Sequence, residues 1–164
     1  YVDNDEKGQN LFRELINKGK DLNVRAGCPN AIERMEGGLL SYGNDMTIKD
    51  NVLECGFGGL VSFSDEIDYL AKDHLKQLSL KGIKKSLTGI KIFSDAFTLL
   101  NHEPIFINGD KVGELRSVVY SPSFKCCLGI AMIDMETQDN KQKQIAVIDN
   151  NEFQIEISPL PFNQ

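Results

Sequence analysis

The densest run of chemically capable side chains lies between Arg34 and Asp45. There Arg34-Met35-Glu36-Gly37-Gly38-Leu39-Leu40-Ser41-Tyr42-Gly43-Asn44-Asp45 brings together a guanidinium, two carboxylates, a phenol and three glycines. An arginine can grip a carboxylate or a heterocycle through two parallel hydrogen bonds, and glycines let the backbone approach a flat ligand. From the residues alone, a helix end with a surface ion pair and a tight turn is the plainer reading. Glu33 and Glu36 share one face of a helix, as an acid and base pair would, but a solvated face is simpler. Gly56-Phe57-Gly58-Gly59 lacks the spacing and the strand-to-helix setting of a dinucleotide loop. Ser121-Pro122 ends a β run without a nucleophile-elbow pattern and reads as a turn. The four cysteines, Cys28, Cys55, Cys126 and Cys127, form no C-x-x-C pair and have no histidine at ligand spacing. They are expected to be free buried thiols of a reducing cytoplasm, with no metal site.

The elements that must carry these groups fall into two textures. Leu11, Phe12, Leu15 and Ile16 recur at helical spacing over 9–18, and Gly19 stands where a left-handed cap would end the helix. A second short helix over 31–36 follows Pro29-Asn30, with Asn30 and Glu33 placed as a capping box and Gly37-Gly38 stopping it. Residues 44–51 read as turns, 60–63 as a strand, and a helix is expected from Ser64 or Asp65 to about 79, with Ile67, Leu70, Ala71, Leu75 and Leu78 as its apolar stripe and His74 packed beside it. Beyond Gly82 the chain reads as short strands at 86–93, 104–107, 111–119, 128–134, 143–149 and 152–157. Asn108-Gly109-Asp110 and Asn150-Asn151 supply residues that tolerate the positive φ of hairpin turns. Six such strands predict a small antiparallel barrel or sandwich.

A chain of 164 residues suffices for one domain, or for a small domain and the end of another. Because it opens on Tyr1 and a polar stretch, it is expected to be cut from something longer, leaving the apolar residues of its first helix only partly covered. The net charge of −6, with acids and bases interleaved, disfavours nucleic-acid binding, and no apolar run approaches membrane-helix length.

Several stretches, in order, resemble the C-terminal half of the glycine-cleavage T-protein family. Arg34 to Met46 is similar to its "L-R-x-E-x-G-x-x-L-Y-G-x-[DE]-[ML]" box, and Asn51 to Gly58 is similar to "x-P-x-E-A-G-L-G". Asp68 to Leu75 resembles "F-I-G-K-E-A-L". Val112-Gly113 through Phe124 and Leu128 to Met132 resemble "v-G-x-v-T-S-G-x-x-S-P-x-L…I-G-x-A-x-V", and Leu160-Pro161-Phe162 matches a terminal "x-P-F". The resemblance implies an α+β chain: residues 1–82 as the end of an α/β folate-binding lobe with a connecting helix, and 83–164 as the C-terminal antiparallel β-barrel. It implies tetrahydrofolate as cofactor, a cytoplasmic enzyme, a small-molecule substrate, and partnership with N-terminal lobes of the same polypeptide, with a second copy as a further candidate partner. Catalytic residues are expected in those lobes, so this chain alone is expected to be inactive. Asn30, Arg34, Glu36 and Tyr42 are the expected folate- or substrate-binding residues here, lining the cavity or bracing it. Asn30 stands where the family's box carries its first arginine. The run from Arg25 through Cys28-Pro29-Asn30 to Asp45 resembles the dimethylsulfoniopropionate demethylase branch, which moves a sulfonium methyl onto tetrahydrofolate. The alternatives are aminomethyl transfer in glycine cleavage, or a non-catalytic folate-binding protein on the same scaffold. The latter's "K-G-C-Y-x-G-Q" signature is absent from the sequence.

Overall fold

The computed structural model describes residues 2–24, 27, 30–97, 102–138 and 143–162. It forms two compact units, 1–30 and 31–164. The first unit is helix α1 (Asp5–Lys18) and a short 3-10 turn. Asn4 caps α1 by accepting from the Lys7 N–H at 2.9 Å, which starts the helix earlier than the apolar spacing predicts. None of its residues is buried, and Leu11, Phe12 and Leu15 are all about half exposed. Gly19 is not left-handed, with φ −88°. It is needed because a Cβ there would lie 2.5 Å from that of Val24, so close approach rather than handedness selects glycine.

The second unit opens with α2 (Ala31–Glu36). Gly38 at φ +62° ends it in a Schellman turn, with the Leu39 N–H on the Arg34 carbonyl and the Gly38 N–H on that of Met35. The expected strand at 60–63 is instead a 3-10 turn, Gly58–Leu60, followed by unpaired chain. The expected long helix shortens to α3 (Lys72–Lys81). Its predicted N-terminal end is taken by turns: Ser64 Oγ accepts from the Glu66 N–H, and Lys72 Nζ donates to the carbonyls of Ser64 and Ile67 at 2.6 and 2.5 Å. Such local bonds compete with helix formation, and they leave Ile67 and Leu70 exposed instead of in a stripe. His74, expected in packing beside that stripe, is exposed.

Strands β1 (Lys85–Ile92), β2 (Glu103–Ile107), β3 (Asp110–Ser121), β4 (Cys126–Asp134), β5 (Gln144–Ile148) and β6 (Asn151–Ser158) close an antiparallel barrel in the order β1-β4-β3-β2-β5-β6, so the fold is α+β. A four-residue helix, α4 (Met135–Gln138), follows β4. Two-residue turns join β2 to β3 through Asn108 and Gly109, and β5 to β6 through Asp149 and Asn150, one position earlier than the expected Asn150-Asn151. All four turn residues have positive φ, the geometry whose twist matches that of the strands.

Inside the barrel, Ile90, Ile92, Ile105, Leu115, Ile133, Ile148 and Ile155 are fully buried. The outward residues of β4, Cys126, Leu128, Ile130 and Met132, are buried too, under Met35, Cys55 and Phe162. With both faces covered, β4 reads as a continuous apolar run rather than an alternating one. The segment 31–57 is thus bound to the barrel wall, and that seam carries the chemically dense box.

Candidate functional site

Register explains how the barrel receives the box. Along β3, Leu115 pairs with Ala131 and Ser117 with Ile130, so Arg116 is the extra residue of a β-bulge. Leu115 points into the core and Val118 packs against the same core. In regular alternation Ser117 would also face inward. The bulge instead leaves both Arg116 and Ser117 on the outer face, under the loop that follows α2.

Asp45 is the centre of that contact. It is fully buried, and its carboxylate accepts from Arg34 Nη1 at 2.7 Å, from the Ser41 N–H at 2.6 Å and from the Ser117 hydroxyl. Arg34 also donates to the Leu39 carbonyl at 2.8 Å and to Ser117 Oγ at 3.3 Å. Glu36 accepts from the Ser121 hydroxyl at 2.5 Å, while Ser121 Oγ accepts from the Phe124 N–H, making Ser121 a turn-forming residue as expected. Arg34 and Glu36 are therefore committed to holding the box against β3. Tyr42 differs: it is 70% exposed, and it precedes Gly43, which has a φ of +93° and open space where a Cβ would stand. Asn30 is exposed in the first unit. Cys28 and Pro29 lie outside the described residues.

Sequence reasoning passed over a second contact nearby. Arg116 forks onto Asp50, Nη1 to Oδ2 at 3.0 Å and Nη2 to Oδ1 at 3.2 Å, and its Nε lies 2.7 Å from Glu114 Oε1. Asp50 is almost wholly buried and also accepts from the Thr47 N–H at 2.9 Å. His102 Nε2 lies 2.8 Å from the Asn44 carbonyl oxygen. The Arg116–Asp50 and His102–Asn44 contacts join positions 66 and 58 apart along the chain, a separation that no local sequence pattern reports.

Burial alone would raise the Asp50 carboxyl, but the Arg116 fork and the Thr47 N–H outweigh it and hold the group at about 2, against an ordinary 3.8. A depressed carboxyl contributes stability that is complete above its unfolded value and is lost as pH falls through its folded one. The loss should therefore run from about pH 4 down to about pH 2, and it corresponds to about 2 kcal/mol. Urea unfolding between pH 5 and pH 2 checks this, since Asp50→Asn should remove that part of the acid sensitivity. Parallel curves for the two proteins would refute it.

Cys55, Cys126 and Cys127 are free and buried, and burial first of all pushes each one up, keeping it protonated. Among the described residues no group of histidine, cysteine and carboxylate side chains gathers to hold a metal, and no helix is long and apolar enough to cross a membrane.

Residues 85–163 match the family model described as the glycine cleavage T-protein C-terminal barrel domain, a span that holds strands β1 to β6. The chain belongs to the glycine cleavage T-protein family. It is 39% identical over 134 residues to dimethylsulfoniopropionate demethylase DmdA of Ruegeria pomeroyi, across 82% of this chain and 36% of that protein. It is 28% identical over 160 residues to an aminomethyltransferase of Bacillus cereus, across 96% of this chain and 43% of that one. The chain thus spans well under half the length of these curated relatives. Among solved structures, the glycine cleavage system aminomethyltransferase T from Bartonella henselae matches with a TM-score of 0.69 over 79% of this chain and 37% of its own, at 18% identity, a likeness of fold.

Proposed function

We propose that this chain is the C-terminal part of a tetrahydrofolate-dependent methyltransferase that demethylates dimethylsulfoniopropionate to methylmercaptopropionate. The observation that carries the reading is the 39% identity to a demethylase of that name, spread over most of the chain, against 28% to the aminomethyltransferases. We assign residues 1–82 to the end of the folate-binding lobe and 83–164 to the barrel, in a cytoplasmic protein that acts on a small molecule and needs neither nucleic acid nor a membrane.

The residues present fit a flat heterocycle. Tyr42 offers an exposed phenol ring, a surface suited to stacking, and the adjacent Gly43 adds no side chain to obstruct it. When bound, tetrahydrofolate supplies the N5 amine that accepts the methyl group. Tyr42 would line its site, Arg34 and Glu36 would hold that wall rigid through Asp45 and Ser121, and Asn30 is proposed separately as a folate- or substrate-binding residue. A sulfonium methyl is already activated for displacement, so the task left to the protein is alignment and exclusion of water, which can reduce barriers by several kcal/mol. The acidic group expected near N5 belongs to the N-terminal lobes of the same polypeptide.

The test joins this chain to those lobes and supplies tetrahydrofolate with either dimethylsulfoniopropionate or an aminomethyl-lipoyl carrier protein, following the folate product by mass. Methyl-tetrahydrofolate from the sulfonium, without the carrier, is the expected result. Methylene-tetrahydrofolate formed only with the carrier would restore aminomethyl transfer, and folate binding without either product would favour a non-catalytic role. The chain by itself should yield neither product.

A further inference from the structure

We propose that the β-bulge at Arg116 is a positioning device: by turning Arg116 and Ser117 to the same face, it lets one strand of the barrel clamp both ends of the segment that follows Tyr42. This rests on the reading above that the Tyr42 turn faces the ligand. Ser117 engages Asp45 at the start of the segment and Arg116 engages Asp50 at its end, with Arg116 Nη1 also 3.3 Å from the Asp45 carbonyl. Asp45 in turn receives the Ser41 N–H and the Arg34 guanidinium, so the clamp reaches both sides of Tyr42. Without the bulge, alternation would direct one of the two strand residues into the barrel and leave one carboxylate unheld. Ser117 and Arg116 are on this account positioning residues. Neither needs to touch the ligand, and both fix where Tyr42 stands.

The experiment uses Ser117→Ala and Ser117→Thr, in this chain for amide hydrogen exchange and in the protein joined to its N-terminal lobes for kinetics. Ser117→Ala should speed exchange over residues 39–50 about tenfold, with peptides from β1 and β4 unchanged. It should raise KM for tetrahydrofolate several-fold with kcat nearly constant, and Ser117→Thr, which keeps the hydroxyl, should restore both. Unchanged exchange over 39–50 would overturn the clamp whatever the activity. Faster exchange with unchanged KM would overturn its role in positioning. If the unaltered joined protein shows no tetrahydrofolate-dependent reaction, the functional reading fails and the ligand-positioning role with it, while the exchange result still decides the clamp.

Discussion

Replacing Gly113 by alanine will destabilise the chain by about 3 kcal/mol, as steric overpacking in a closed barrel does. A Cβ at this position would lie 2.4 Å from the Met132 carbonyl oxygen, 2.6 Å from Ile133 Cδ1 and 3.1 Å from Ile133 Cα. Two of those atoms are backbone of β4, paired with β3 on one side and with β1 on the other. The strand cannot retreat without breaking a second ladder. The cause is spatial and not conformational, since Gly113 is not among the positive-φ residues. Two controls separate the mechanisms. Gly59→Ala meets nothing within 4 Å at an ordinary φ and should be neutral or slightly stabilising, while Gly109→Ala also meets nothing but sits at φ +89° and should cost about 1 kcal/mol through the turn. Urea unfolding of the three variants ranks them, and a Gly113→Ala protein as stable as Gly59→Ala would show that the barrel yields there.

The barrel was legible in the sequence because each of its signals is local. Strand residues enriched in isoleucine and valine, and Asn-Gly between two such runs, specify hairpins from a few consecutive positions, and all six strands lie within about two residues of their predicted bounds at both ends. Cys126 to Asp134 shows where that legibility ends: its apolar run marks a strand buried on both faces, but not that α2 and Phe162 cover the outer one. The helix expected from Ser64 starts only at Lys72 for a different reason, since its apolar stripe was real in spacing while the turn bonds of Ser64 and Lys72 satisfied the same backbone groups locally. At the box, the residue types of Arg34, Glu36 and Tyr42 drew notice, yet the sequence does not distinguish a guanidinium that grips a ligand from one that grips a carboxylate eleven positions later. Arg116 and Ser117 were least visible of all. Period-two alternation sends neighbours to opposite faces, and only the register against β4 shows that here it does not.

The same burial that hid Asp45 makes it the most expensive side chain of the box to lose. Asp45→Ala removes a carboxylate with no exposed surface and strands three donors at once: the Arg34 guanidinium, the Ser41 N–H and the Ser117 hydroxyl. Breaking one side of a buried ion pair costs about 3–5 kcal/mol. Because the Arg34 side chain is 25% exposed and can rehydrate in part, the lower end, about 3 kcal/mol, is expected. Asp45→Asn should cost about 1–2 kcal/mol, since the amide oxygen can still face Arg34 and Ser41 while its NH2 turns to Ser117, whose hydroxyl can rotate to accept. Arg34→Leu should be as damaging as Asp45→Ala, because it leaves the carboxylate buried with no cation. The decisive measurement is the double variant, Arg34→Leu with Asp45→Leu: with both charges gone, its loss should fall about 2 kcal/mol short of the sum of the two Leu single variants. Strict additivity by urea unfolding would mean that the pair contributes nothing as a pair, and that the box is held to the barrel by its other contacts, Glu36 with Ser121 and the apolar packing of Met35 and Cys55.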